Sequence, residues 1–78
     1  MFLTARERMA HNCGKIADAL ARSHHNERTP LEWLELARLY NEKSEIYRED
    51  YYQDIEGARY YQTCTGYAIK KAALLIGL

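Results

Sequence analysis

The residues best suited to metal or nucleophilic chemistry in this chain are three histidines and two cysteines. His11 and Cys13 are two positions apart, and at about 100° per residue their side chains would project about 160° apart on a helix, too far to bind one ion. His24 and His25 are adjacent in a polar segment without the His-x-x-x-His or Cys-x-x-Cys spacing of metal sites. We interpret this pair as part of a solvated loop, and whether it binds a metal stays open.

The two cysteines fall on or beside apolar helical faces. Cys13 lies on the apolar face of the first predicted helix, and Cys64 lies at the border of the apolar face of the third. Thiols in such positions usually behave as small hydrophobic side chains. We therefore predict two buried thiols rather than a nucleophile or a redox pair.

Acidic side chains are numerous, but their spacing favours a surface rather than a catalytic site. Glu35, Glu42 and Glu49 recur every seven residues and are expected on the exposed side of a helix. Nothing in this row indicates two carboxyl groups with widely separated pKa values, which acid–base catalysis would need. The four glycines are too widely separated for a phosphate-binding loop. We predict no catalytic activity, no cofactor and no metal site.

The elements that carry these residues are predicted to be three helices. Thr4 and Glu7 have the spacing of a capping box, and Thr29, Pro30 and Glu32 combine a cap, a first-turn proline and a second box. Helices are predicted over residues 5–23, 30–52 and 54–77. The fold class is all-α, a small antiparallel bundle in a single domain spanning residues 1–78.

A bend is predicted within residues 50–57, which contain two aspartates and Gly57. One helix over residues 33–76 would be roughly 65 Å long, too long for the first thirty residues to cover. The alternative is that the last two helices are fused into one long helix, which a second copy of the chain covers in a dimer.

Each predicted helix has one apolar face that should form the core. In the first helix this face contains Met9, Cys13, Ile16, Ala17 and Leu20. In the second it contains Trp33, Leu36, Ala37, Tyr40, Ser44, Tyr47 and Tyr51. In the third it contains Ala58, Tyr61, Thr65, Ala68, Ile69, Ala72 and Ile76.

The second and third helices also carry a narrower apolar stripe at heptad spacing. The stripes are covered by the other helices of a monomer, or they meet another protein or a second copy of the chain. The residues predicted to contact a partner are Leu39 and Ile46 with the row Glu35, Glu42 and Glu49 on the second helix, and Tyr60, Tyr67 and Leu74 on the third.

Composition narrows the class of function. Eleven basic and eleven acidic residues give a net charge of zero, which argues against a protein that binds nucleic acid by neutralising phosphates. The apolar run at residues 72–78 is too short to span a bilayer. The first residues do not have the pattern of a secretory signal, so a cytoplasmic location is expected.

We therefore expect a non-catalytic interaction or regulatory protein that binds another protein through helical surfaces as a homodimer. The alternative is a nucleic-acid-associated regulator that uses the basic first helix, whose surrounding segment contains Arg6, Arg8, Lys15, Arg22 and Arg28. By analogy of size alone, small phage or mobile-element accessory proteins are often of this kind.

Overall fold

The structure is a computed structural model, and it describes residues 3–77. Three α-helices follow one another: α1 over Ala5–Arg22, α2 over Pro30–Arg48 and α3 over Ile55–Ile76. A single 3₁₀ turn at His25–Glu27 interrupts the loop between α1 and α2. The predicted all-α, three-helix architecture is confirmed. Within residues 3–77, no helix is both long enough and apolar enough to cross a membrane.

Both predicted capping boxes are present. The Thr4 hydroxyl accepts a hydrogen bond from the Glu7 amide at 3.2 Å, and the Glu7 carboxylate accepts one from the Thr4 amide at 3.1 Å. Thr29 and Glu32 make the same two bonds at 3.2 and 3.0 Å. These bonds satisfy amides that have no partner inside the helix, so the starts of α1 and α2 are determined locally.

The predicted carboxyl end of the second helix was wrong, because α2 ends at Arg48 rather than Tyr52. Gln53 adopts a left-handed backbone conformation with φ of 45°, and the Asp54 carboxylate caps α3 by accepting a hydrogen bond from the Gly57 amide at 2.9 Å. The bend therefore occupies residues 49–54, and Gly57 lies inside the first turn of α3. In this chain α2 and α3 are two separate helices.

The central helix is α2, which packs against both of the others. α3 runs antiparallel along one side of α2, and α1 lies against another side while hardly touching α3. α3 contributes mainly small buried residues, Ala58, Ala68 and Ala72, which let its backbone approach α2 closely. The Ser44 hydroxyl donates a buried hydrogen bond to the Ala58 carbonyl at 2.9 Å.

The buried face of α1 differs from the prediction. Met9, Asn12, Ile16 and Ala19 are buried, whereas Cys13, Ala17 and Leu20 are exposed. The reason is that α1 packs on one helix rather than two, so the side of its apolar face that an adjacent α3 would have covered stays open. On the later helices, Tyr51, Ile69 and Ile76 were predicted in the core but are at least half exposed.

Candidate functional site

Two of the predicted partner-contact residues are part of the core. Leu39 is 0% exposed and Ile46 is 3% exposed. The side-chain amide of Asn12 on α1 donates a hydrogen bond to the Leu39 carbonyl at 2.9 Å, so α1 covers this side of α2. The prediction that Leu39 and Ile46 contact a partner was therefore wrong for this folded chain, because its own first helix occupies the stripe.

The row of glutamates borders α1 and is partly exposed. Glu49 forms a salt bridge with Arg8 of α1, and Glu42 accepts a hydrogen bond from Asn12 at 3.0 Å. Hydrogen bonds from Arg8 hold the pKa of Glu49 below its usual range. Glu35 pairs with Arg38 on its own helix at 2.8 Å. The acidic row predicted to meet a partner thus lies along the contact between α1 and α2.

The stripe predicted on α3 is exposed. Tyr60, Tyr67 and Leu74 are 62%, 49% and 60% exposed. They project from the side of α3 that is turned away from its buried alanines, as heptad spacing requires. Their contact with a partner stays a prediction.

An open groove of about 370 Å³ lies between α1 and α3 with α2 as its floor. It exists because α1 and α3 each pack on α2 without closing over each other. We call it the aromatic groove, and its walls are formed by Leu20, His25, Arg28, Trp33, Tyr40, Thr63, Cys64 and Tyr67. Burial in this groove raises the pKa of the Tyr40 hydroxyl, because the phenolate form is poorly solvated there.

A cluster of three rings closes one end of the aromatic groove. The ring centroids of His25 and Trp33 lie 5.0 Å apart at 83°, and those of Trp33 and Tyr67 lie 5.9 Å apart at 77°. His25 Nε2 and the Tyr67 hydroxyl share a hydrogen bond of 3.0 Å. These edge-to-face contacts attach the loop after α1 to α3, which positions Tyr67 at the rim of the groove.

Cations lie against three aromatic rings of α2 and α3, and two of these rings line the groove. The guanidinium of Arg28 is 5.0 Å from the Trp33 ring centroid, and Lys71 Nζ is 5.6 Å from that of Tyr67. Lys43 Nζ is 4.5 Å from the Tyr61 centroid and 3.4 Å from Cys13 Sγ, so it spans the space between α3 and α1. Within residues 3–77, no salt bridge engages any of these three cations.

The contacts of Lys43 with Tyr61 and Cys13 affect its pKa more than its burial does. Burial alone would lower the pKa of this lysine, but the contacts with Tyr61 and Cys13 raise it above its usual value. The ammonium group is therefore charged at neutral pH. It places a positive charge between the two walls of the open side of the bundle.

A second depression, of about 190 Å³, adjoins the aromatic groove beyond the ring cluster. It shares His25, Arg28 and Trp33 with the groove and adds Asn26, Lys71, Leu74 and Leu75. We call it the Leu74 depression. The exposed stripe of α3 therefore does not stand alone, because Tyr67 and Leu74 continue an apolar surface that begins at Leu20 on α1.

The histidines, cysteines and acidic residues in the described part of the chain do not form a metal site. Among the described residues, no three histidine, cysteine or acidic side chains are placed to hold one ion. Cys13 is exposed, which corrects the prediction that it is buried, and Cys64 is half-buried in the wall of the groove. The exposed His24 is apart from the ring cluster in which its neighbour His25 takes part.

Sequence reasoning missed His25, Arg28 and Trp33 as groove residues. The sequence predicts a solvated loop at His25 and a core position for Trp33, and Trp33 is indeed 4% exposed while it also lines the groove. His25 meets Tyr67 across 42 positions of the chain. No local spacing predicts such a contact, so the sequence carried no signal for it.

Comparison with protein-family models, with curated proteins and with solved structures found no match for this chain.

Proposed function

We propose that this chain is a non-catalytic interaction protein, regulatory in kind, that binds another protein through the aromatic groove and the Leu74 depression. The supporting observation is an apolar groove between α1 and α3 whose aromatic walls carry cations that form no salt bridge within residues 3–77. Tyrosine, tryptophan and arginine are the residues enriched where proteins bind each other most strongly.

The distribution of exposed apolar side chains supports the same proposal. Leu20 on α1 and Tyr67 on α3 line the aromatic groove, Leu74 lines the adjoining depression, and all three are at least 40% exposed. Apolar residues scattered singly over a surface are ordinary, but a continuous patch is typical of a binding site. The cytoplasm is the proposed location, and the two free thiols are compatible with it.

A nucleic-acid-binding role for α1 receives less support. Arg8 of this helix is engaged by Glu49, and the charges of Lys15 and Arg22 act on Glu35. Phosphate binding needs cations that are free to displace counterions from the nucleic acid. The side of α1 that carries these three residues is instead balanced by the acidic row of α2.

The proposed function is tested by protein capture from native cells with matched variants. We expect a partner that is retained by the wild-type chain, lost with Leu74→Glu and retained with Leu31→Glu. Leu31 is 78% exposed and lies outside both depressions, so it controls for a general effect of one added charge. A partner set that Leu74→Glu leaves unchanged would contradict the proposal.

A further inference from the structure

We infer that the partner segment is an amphipathic helix with acidic residues beside its apolar face, an inference that rests on the proposed function. The groove offers an apolar floor and a rim that carries positive charge alone. A helix of this kind satisfies both features at once, because its leucine-like side chains fill the floor while its carboxylates reach the rim.

The positive charge around the groove indicates that the partner segment is negatively charged. None of the residues that line the aromatic groove or the Leu74 depression is acidic, whereas Arg28 and Lys71 belong to this lining. Lys70 lies beside Lys71 on the same helix, and residues 58–78 contain no acid. The Arg28 Nε–H is buried and has no hydrogen-bond acceptor within residues 3–77. Carboxylates on the partner would supply the missing counter-charge at the exposed parts of these cations.

The length of the surface matches a short helix. Cys64 in the groove and Leu75 in the Leu74 depression are eleven positions apart on α3. At about 1.5 Å per residue they are separated by roughly 16 Å, which is about three turns of a docked helix. Three turns carry apolar anchors at positions i, i+3 or i+4, and i+7.

The ring geometry disfavours single-stranded nucleic acid, the other anionic ligand that basic and aromatic residues suggest. Bases bind such surfaces by stacking on free ring faces. Here Arg28 lies over the Trp33 ring and Lys71 over the Tyr67 ring, while His25 packs edge-on against Trp33. One face of the Trp33 ring and one face of the Tyr67 ring are thus covered by cations, and Trp33 as a whole is only 4% exposed, so few free ring faces are left for bases.

A second copy of this chain does not present the required helix. Its acid-rich helix is α2, whose glutamate row lies against α1 and whose adjoining residues Leu39 and Ile46 are buried. Such a copy would have to release α1 before α2 could enter the groove. The occupant is therefore a foreign segment.

The inference is tested by selecting helix-length random peptides, about 14 residues long, on the wild-type chain and rejecting those that also bind Leu74→Ser. We expect the retained peptides to combine apolar residues at helical spacing with an excess of aspartate and glutamate. Their affinity should fall as salt is raised, because exposed charge pairs are screened.

A charge exchange tests the pairing directly with one selected peptide. Lys71→Glu should weaken binding of the selected peptide by roughly tenfold or more. A second peptide, in which lysine replaces the acidic residues that face position 71, should bind the Lys71→Glu variant with the lost affinity restored. The circular dichroism spectra of Leu74→Ser and Lys71→Glu should match that of the wild type. Leu74 is exposed, and the Lys71 side chain has no salt bridge within residues 3–77. A structural defect could not be reversed by changing the peptide.

Other outcomes would contradict either the acidic helix alone or the groove as a protein-binding surface. Retained peptides with apolar helical spacing but no acidic excess would overturn the inference and leave the proposed function standing. No peptide that depends on Leu74 would overturn both. Binding of a short single-stranded oligonucleotide that Lys71→Glu abolishes, or a wild-type dimer that Leu74→Ser dissociates, would show that a different ligand occupies the groove.

Discussion

At the scale of single residues, Asn12 is the polar group that fixes how α1 lies on α2. Its side chain is fully buried and donates to the Leu39 carbonyl and the Glu42 carboxylate. Its own carbonyl oxygen, Oδ1, has no partner within residues 3–77. The residue therefore contributes two hydrogen bonds while keeping one polar atom desolvated, so its net contribution to stability is small.

Two substitutions of Asn12 should consequently have very different effects. Asn12→Leu should change the free energy of unfolding by no more than about 1 kcal/mol, because it removes the desolvated oxygen along with the bonds. Asn12→Asp, which has nearly the same shape, should lower it by roughly 2–4 kcal/mol, because it buries a carboxylate beside Glu42. Urea denaturation of both variants measures the difference, and equal losses would contradict this description of the contact between α1 and α2.

The lowered pKa of Glu49 predicts how stability depends on pH. A carboxyl group whose folded pKa is depressed stabilises the fold above its unfolded pKa, about 4.3, and loses that contribution as pH falls through the folded pKa. Hydrogen bonds from Arg8 are the main cause of the depression. The melting temperature should therefore fall between neutral pH and pH 3, and less steeply in Glu49→Gln. In Glu45→Gln, which lies outside this contact, the fall should equal that of the wild type.

At the scale of helices, the sequence predicted where α1 and α2 begin better than it predicted where α2 ends. Both capping boxes are local patterns of four residues, so α1 and α2 begin where expected. The end of α2 depends instead on Gln53 adopting positive φ and on Asp54 bonding to Gly57, choices that become favourable once α3 packs back on α2. The groove was not predictable, because it follows from α1 packing on one neighbour and from contacts distant in sequence.

The helical glycines offer a test of the element boundaries. Gly14 lies inside α1 with open space where a Cβ would be, so Gly14→Ala should raise the free energy of unfolding by about 0.5–1 kcal/mol. A Cβ at Gly57 would lie 2.6 Å from the Asp54 carboxylate and would displace the cap of α3. Gly57→Ala should therefore gain nothing or lose stability in the same thermal melts. Equal gains at both sites would contradict the assigned cap.

At the scale of the whole molecule, the fold is more extended than a closed bundle. Its radius of gyration is 13.3 Å, compared with about 11–12 Å expected for a compact chain of this length. Within residues 3–77, the helices leave apolar side chains uncovered on two opposite sides of α3. One is the groove between α1 and α3, and the other is a row on the opposite side of α3 formed by Ile55, Ile69 and Ile76, which are each at least 50% exposed.

Because Leu39 and Ile46 are buried, only the α3 half of the predicted dimer interface is exposed, formed by Tyr60, Tyr67 and Leu74, and the homodimer stays a prediction. We predict that two copies meet along the row containing Ile69, because a second copy placed there would cover three exposed isoleucines. In sedimentation equilibrium the wild type should have about twice the 9.2 kDa mass of the chain, and Ile69→Glu should have the mass of one chain. Leu74→Glu should leave the dimer intact. A monomeric wild type, or an Ile69→Glu dimer, would contradict this interface.

If the open side between α1 and α3 is the binding surface, a bound acidic peptide should change the amide chemical shifts of the residues on that side. We expect the largest changes at Leu20, Tyr67 and Leu74, on both walls of the groove and in the adjoining depression. Largest changes at Arg8 and Glu49, or along the row containing Ile69, would contradict it.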